Sequence, residues 1–431
     1  MPAQNTASTT QISSIIGTDE DDYLEGTLGA DLIVGLGGND ILYGSYGDDT
    51  LQGGTGDDTL SGGWGRDVHD GGAGNDTVSF AYYLNSNNES GLVINLVPGS
   101  SSYEQFINIE NVIGTNYDDV IIGTDGANVL DGSYGDDTLQ GGAGDDFLSG
   151  GWGSDVHDGG EGNDTVSFEY YFDNTSKLGL VIDLAAGGNG YEHFISIENA
   201  IGTGLADVLI GTDGANLLVG GEGSDTLKGS DGDDTLQGGE GDDLLSGGWG
   251  SDLHDGGEGE DTVTFEYYNG NGTLVIDLTN EGGGFEGFID VENVIGSNSN
   301  DWIVGTEGNN IIESLAGNDT IIGGAGRNRL TGGEGEDVFV FDLSDSVDFI
   351  VDFTSGEDLL DLSATGLQFD DLLIQGIRST TMEGPVGEII EGVSILYNQQ
   401  SPDPEFPYYG GNIILLNVSL DDFDPNDLFF G

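Results

Sequence analysis

From Gly17 onward the chain can be cut every nine residues and the pieces align: GTLGADLIV, GLGGNDILY, GSYGDDTLQ, GGTGDDTLS, GGWGRDVHD, GGAGNDTVS. The phase restarts at Gly114, Gly202 and Gly296, giving blocks of seven, six, seven and five units. Position 6 is Asp in 21 of the 25 units, and Asn128, Asn216, Asn310 and Asn328, which still offer an oxygen, fill the rest. Position 8 is Leu, Ile, Val or Phe in 22. A fixed short period describes a chain that stacks on itself, not one that wraps a single central core.

Glycines at positions 1, 2 and 4 open backbone angles that a Cβ forbids, so the first half of each unit is a tight turn. The second half places one apolar side chain between polar neighbours, the alternation of a short strand with one buried face. Two units make a coil of 18 residues. Stacked coils pair their strands in parallel, with the position-8 residues inside and the position-6 carboxylates in rows down both sides. The expected fold is therefore all-β: a right-handed parallel β-roll or β-helix solenoid in four blocks.

Charge then becomes the difficulty. The chain carries 80 acidic and 6 basic residues, a net charge of -74. That balance excludes nucleic acid as a partner, because phosphate recognition needs Lys and Arg. Carboxylates stacked at about the 4.8 Å strand spacing repel one another. A hard divalent cation between successive turns relieves this. Calcium accepts six to eight oxygens in adaptable geometry, whereas magnesium is stricter and keeps its waters. Zinc wants His or Cys, which the rows lack; the chain has no cysteine at all.

These nonapeptides resemble the RTX, or hemolysin-type calcium-binding, repeat G-G-x-G-x-D-x-U-x, over roughly the first 340 residues. The resemblance implies a parallel β-roll in which the position-6 Asp and turn carbonyls bind Ca²⁺. Carried over, it assigns Asp31, Asp40, Asp49, Asp58, Asp67 and Asp76 in the first block and Asp137, Asp146, Asp155 and Asp164 in the second. Asp225, Asp234, Asp243, Asp252 and Asp261 follow in the third, and Asp319 and Asp337 in the fourth. Asp22, Asp119, Asp207 and Asp301 lie in turns without the usual glycines and are not carried over. One ion between each pair of like turns gives up to about 17 calcium ions, and folding and calcium binding become one event.

The expected order along the chain is a tail (1–16), block 1 (17–79), insert 1 (80–113), block 2 (114–167), insert 2 (168–201), block 3 (202–264), insert 3 (265–295), block 4 (296–340) and a C-terminal β cap (341–431). The inserts are alike: each holds an aromatic patch and two alternating runs, LVINL with EQFINIENVIG, LVIDL with EHFISIENAIG, and LVIDL with EGFIDVENVIG, read as strands that widen the coil. Tyr82, Tyr83, Tyr170, Tyr171, Tyr267 and Tyr268 are read as packing residues ahead of sugar-stacking ones. Asn88, Asn174 and Asn271 stand in N-x-S/T triplets. The segment VDFIVDFTSGEDLLDLS resembles the one that follows the repeats in many RTX proteins, and the resemblance implies a C-terminal signal read by type I secretion machinery. No basic stretch followed by an apolar core opens the chain, and no run of 18 apolar residues occurs, so neither a conventional secretory signal nor membrane insertion is expected.

The three exceptions at position 8 are His69, His157 and His254, each in a GGWGxDxHD unit. Flanking acids suggest a catalyst or a metal ligand. The phase instead points each ring inward, as a neutral histidine bonded to backbone or hydroxyl where the narrow roll meets the insert. Trp64 and its equivalents, at turn position 3, are expected outside. No HExxH, GxSxG or P-loop is present, so an enzyme is not expected. The reading is a secreted calcium-binding protein serving as surface-layer, matrix or filament material, with self-association and glycan as further partners. The alternatives are an extracellular glycan-binding adhesin and, behind it, a polysaccharide-modifying β-helix enzyme.

Overall fold

The computed structural model describes residues 12–81, 90–100, 103–169, 178–270, 272–280, 286–342, 346–379, 390–397, 399–400, 408–409 and 411–431. Tyr82, Tyr83, Tyr170, Tyr171, Asn88, Asn174 and Asn271 lie outside them. The chain divides into two compact units, Met1–Thr203 and Gly204–Gly431. Each is a parallel β solenoid of the kind the nine-residue phase predicts.

In the first unit one ladder stacks Ser13–Ile16, Asp31–Gly37, Thr50–Thr55, Val68–Ala73 and Gln105–Ile107, all parallel. Within the block the register is 18 residues, as in Thr50 opposite Val68 and Leu51 opposite His69. A second ladder takes the alternate half-coils from Tyr23–Glu25 to Asn199–Ile201 and runs through both inserts without a break. At insert 1 it steps from Thr77–Ser79 to Asn111–Ile113 and on to Val129–Asp131. The first ladder behaves differently there: it ends at Gln105–Ile107, and a new ladder starts at Val93–Asn95, continuing through Val120–Ile122, Thr138–Ala143 and Val156–Glu161 to His193–Ile195. The insert is thus a wide coil on one side and a handover on the other.

In the second unit the same alternation runs from Val208–Ile210, and stacking continues past the last nonapeptide. Ser346–Ile350 pairs in parallel with Gly326–Thr331, and Leu359–Asp361 with Val338–Val340. Asn412–Leu416 then joins Ser346–Ile350 in parallel, and Ile390–Tyr397 and Leu372–Ser379 close that sheet with antiparallel pairing. The final strand, Leu428–Phe429, lies parallel on Leu360–Asp361.

The cores are columns of position-8 residues. Ile33, Leu42, Leu51, Leu60 and Val78 are fully buried in the first unit, as are Leu209, Leu218, Leu227, Leu236 and Leu245 in the second. The turns that separate them need glycine for a direct reason. At position 2, Gly63 adopts φ +85°, and a Cβ there would strike the Ser45 carbonyl of the coil before.

Candidate metal ladder

Every position-6 Asp except the half-buried Asp22 is buried, and in most of them the two carboxylate oxygens have different fates. The Asp31 N–H donates to Asp49 Oδ1 at 2.8 Å, and Asp49 in turn to Asp67 at 2.8 Å. The alternate half-coils repeat this with Asp40 to Asp58 and Asp58 to Asp76, both 2.8 Å. The same link joins Asp137 to Asp155, Asp146 to Asp164, Asp225 to Asp243, Asp234 to Asp252, Asp243 to Asp261 and Asp319 to Asp337, at 2.7–3.0 Å. One oxygen of each carboxylate is therefore held by backbone.

The other oxygen is not. Among the described residues, Oδ2 has no hydrogen-bond partner and is buried in Asp40, Asp49, Asp58, Asp76, Asp137, Asp146, Asp155, Asp164, Asp225, Asp234, Asp243, Asp252, Asp261 and Asp319. A buried, unsatisfied carboxylate oxygen is costly, and native chains rarely leave one. Glycine at position 1 makes the space it faces. A Cβ on Gly44 would lie 2.5 Å from both Asp49 Oδ2 and the Gly62 carbonyl of the next coil, so carboxylate and carbonyl oxygens converge on one small volume. An all-oxygen set of this kind, bearing negative charge, fits a calcium ion.

Electrostatics agree. Burial first, then the carboxylates stacked above and below, push Asp49 up to about 7 and Asp137 to about 8, against the pull of the backbone N–H. Asp225 and Asp319 rise to about 7, and Asp58, Asp67, Asp146, Asp155, Asp234, Asp252, Asp261 and Asp337 to about 6, with burial again the largest cause. These carboxylates are ionised at neutral pH only at a cost that a cation between them removes.

Turns that open with Gly-Thr, and the turn Gly296-Ser297, are built otherwise, whereas Ser45, Ser133 and Ser230 take a positive φ at position 2 and leave Asp49, Asp137 and Asp234 uncapped. Thr18, Thr27, Thr115 and Ser297 donate their N–H to Oδ2 of Asp22, Asp31, Asp119 and Asp301 at 2.5–2.7 Å. The hydroxyls of Thr18 and Thr27 add a second bond to the same oxygen, at 2.9 Å each. Asp31 thus sits in a self-capped turn, unlike its neighbours Asp40 and Asp49, although its Oδ1 is left without a partner. The asparagines use their amides in full. Thr124 N–H donates to Asn128 Oδ1, while Asn128 Nδ2 donates to the Glu110 carbonyl at 2.6 Å; Asn310 Nδ2 does the same to Glu292. The oxygen that sequence offered is occupied, and an N–H donor points into the turn where a cation would lie.

A third group was not foreseen. Asp76 N–H donates to Glu110 Oε2 at 2.9 Å, Asp164 to Glu198 at 2.8 Å, and Asp261 to Glu292 at 2.9 Å. Asp67 N–H reaches Glu104 Oε2 at 3.1 Å. Each insert therefore returns a glutamate to the place an aspartate holds 18 residues on inside a block. The signal was present as paired tetrads, EQFI with ENVI, EHFI with ENAI and EGFI with ENVI, which repeat position 6 to position 9 with Glu for Asp.

The histidines are inward and fully buried, as their phase predicts. Nε2 of His69, His157 and His254 accepts the N–H of Gly62, Gly150 and Gly247, each at 3.1 Å. Burial pushes all three down to about 4, so they are neutral at physiological pH. Phe106, Phe194 and Phe288 pack on the rings at 5.4–5.7 Å. The tryptophans lie toward the outside: Trp64 and Trp152 stack on Tyr46 and Tyr134 with centroids 6.4 Å apart, and Trp249 meets Tyr268 at 5.5 Å.

A family model described as RTX calcium-binding nonapeptide repeat (4 copies) matches residues 16–45, 43–78, 113–148, 131–166, 201–236, 228–263, 287–321, 295–329 and 314–345, more than half of the chain. Curated proteins give no match. Among solved structures the chain is similar to the extracellular lipase LipA from Serratia marcescens, at 19% identity and a TM-score of 0.18, over 52% of this chain and 40% of the lipase chain. The chain spans less than half of that lipase, and the assignment stands on the repeats.

Proposed function

Because the chain belongs to the RTX calcium-binding nonapeptide repeat family, we propose that its buried aspartates hold calcium in rows down the coils, and that it folds outside the cell on taking up that calcium. Proteins of this family are secreted and extracellular, and so is this one. The repeats are structural and non-catalytic.

One observation carries the reading: the row of buried Oδ2 atoms that nothing among the described residues satisfies, each but that of Asp319 beside a glycine that leaves room for an ion. Calcium supplies the countercharge and draws the oxygens of successive turns together. Asp40, Asp49, Asp58, Asp67, Asp76, Asp137, Asp146, Asp155, Asp164, Asp225, Asp234, Asp243, Asp252, Asp261, Asp319 and Asp337 are the proposed ligands. The self-capped turns and the asparagine steps take no ion, so the number falls below the upper figure of about 17 given by one ion per pair of like turns. Export runs through type I secretion machinery, and the folded chain serves as surface-layer, matrix or filament material.

Circular dichroism during a calcium titration tests this. The chain is expected to be largely unfolded in chelator and to gain β signal cooperatively as calcium reaches the high-micromolar to millimolar range of extracellular modules. A chain fully folded in chelator would overturn it.

A second reading, an extracellular adhesin, is favoured by the half-exposed aromatic pairs at the ends of the blocks. Trp249, Tyr267 and Tyr268 line a groove of about 700 Å³ with Phe265 and Phe288, and such faces stack on sugar rings. A glycan array probed with the calcium-loaded chain, and with Trp249→Ala as control, separates the two.

A further inference from the structure

The second unexplained set of buried polar atoms lies where a block meets its insert. Asp155 is fully buried, Glu192 is 7% exposed, and both Asp155 Oδ2 and Glu192 Oε2 lack a hydrogen-bond partner. His157 Nδ1 stands 3.8 Å from Glu192 Oε2, and one ligand atom from each of Asp155, His157 and Glu192 falls within 4.8 Å of the others. The placement of His and Glu recurs: His69 faces Glu104 at 3.9 Å beside Asp67, where Glu104 Oε2 accepts the Asp67 N–H, and His254 faces Glu286 at 3.8 Å beside Asp252, with His254 Nδ1 also 3.4 Å from the Gly287 carbonyl.

A His–carboxylate cluster suggests a transition metal, but the tautomer argues otherwise. Neutral imidazole has one lone pair. In His157 that pair, on Nε2, accepts the Gly150 N–H at 3.1 Å. The proton therefore sits on Nδ1, which faces Glu192 as a donor and has nothing to give a metal. The cation is left with oxygens alone: the two carboxylates and the carbonyls of the adjoining turns.

The distribution of histidine fits this division of labour. Six insert glutamates stand at the ends of Asp rows, and the position-8 residue beside Glu104, Glu192 and Glu286 is His, while beside Glu110, Glu198 and Glu292 it is Val78, Val166 and Val263. The strand that follows Glu192 pairs His157 with Phe194, setting the glutamate over the imidazole edge.

We propose that Glu104, Glu192 and Glu286 each complete an oxygen-only calcium site joining a block to its insert, and that His69, His157 and His254 are positioning residues whose Nδ1 edge faces the glutamate. The proposal rests on the calcium reading of the Asp rows and adds three joint sites to it. It also gives the inserts a task, since the ion fastens a coil of 34–37 residues to the 18-residue coil before it.

Native mass spectrometry of the full chain across a calcium titration tests the proposal. Glu192→Gln is expected to hold one calcium fewer than the parent chain at the same free calcium, with β signal of the blocks kept. Glu192→Asp, one methylene shorter, is expected to keep the count and bind that ion more weakly; it serves if the Gln variant fails to fold. His157→Leu should weaken the same ion roughly tenfold, the scale of losing an outer-shell partner, and His157→Asn, which retains an N–H donor, should recover part of that loss. Unchanged count in Glu192→Gln, or unchanged affinity in Glu192→Asp, overturns the site. A zinc ion retained by the parent chain and lost in His157→Leu overturns the oxygen-only assignment. A parent chain that takes no calcium overturns the Asp rows themselves.

Discussion

Asp146 and Asp119 occupy the same position of the same nine-residue unit, both buried, 27 residues apart, yet they answer differently to burial. Asp146 follows Gly141-Gly142, and its Oδ2 has no partner. Asp119 follows Gly114-Thr115, and its Oδ2 accepts the Thr115 N–H while Oδ1 takes the hydroxyl at 3.1 Å. Position 2 makes the difference. A positive φ there, at Gly142 (φ +118°) as at Ser133 (φ +76°) and Leu36 (φ +86°), goes with an uncapped carboxylate and a site that needs a cation; Thr115 caps the carboxylate within its own turn. Self-capped positions open the rows (Asp22, Asp31, Asp119, Asn128, Asn216, Asp301) and insert glutamates close most of them. Most runs of uncapped turns are bracketed by positions that end the demand for ions.

The largest test removes calcium altogether. In chelator, the aspartates of the uncapped turns have folded pKa values near 6–8 against an ordinary 3.8. The folded state then binds protons more tightly than the unfolded chain. Its stability is greatest below about pH 4 and is lost as pH rises through about 6 to 8. Protons should substitute for calcium: circular dichroism in chelator is expected to show β structure near pH 4 and little at pH 8, and added calcium should abolish the difference. A chelated chain equally folded at both would break the contrast.

Next come the core residues, which both turn types share. Leu139→Ala, two residues past Asp137 in its uncapped turn, and Ile121→Ala, two residues past Asp119 in its threonine-capped turn, should each cost about 2–5 kcal/mol in denaturant unfolding with calcium present. Similar losses would confine the difference to the turns. Smaller still is the effect of single carboxylates. Asp146→Asn should lower the calcium count by at least one in native mass spectrometry, while Asp119→Asn leaves it unchanged. The smallest is Thr115→Val, which removes the hydroxyl that bonds Asp119 and accepts the Tyr117 N–H at 3.1 Å. It should cost about 0.5–1.5 kcal/mol by thermal melting with no change in calcium count.

Much of this was legible because one period governs both the aspartates and the core. Phase alone placed His69, His157 and His254 inside and identified Leu51, Leu139 and Leu236 as buried. What escaped had left the phase. Glu104 follows Asp67 by 37 residues and Glu110 follows Glu104 by only six, so a search in nines passes over both. The histidines were read correctly as markers of the joint, but their partners lie 32–35 residues away, a distance set by insert length. The direction of the Asn128 amide was hidden for another reason. Oxygen and nitrogen in that side chain have the same shape, and only the Glu110 carbonyl of the preceding coil decides which way it turns.

The handover at insert 1 gives the two sides of one coil different lifetimes. Strand Asn111–Ile113 has a parallel neighbour on either flank, Thr77–Ser79 and Val129–Asp131, so its amides exchange only when both neighbours let go. Gln105–Ile107 is the last strand of its ladder and Val93–Asn95 the first of the next. In a hydrogen-exchange map this joint should read as a fault line on one flank and unbroken grain on the other. A tear that starts there runs sideways around the coil before it can travel along it.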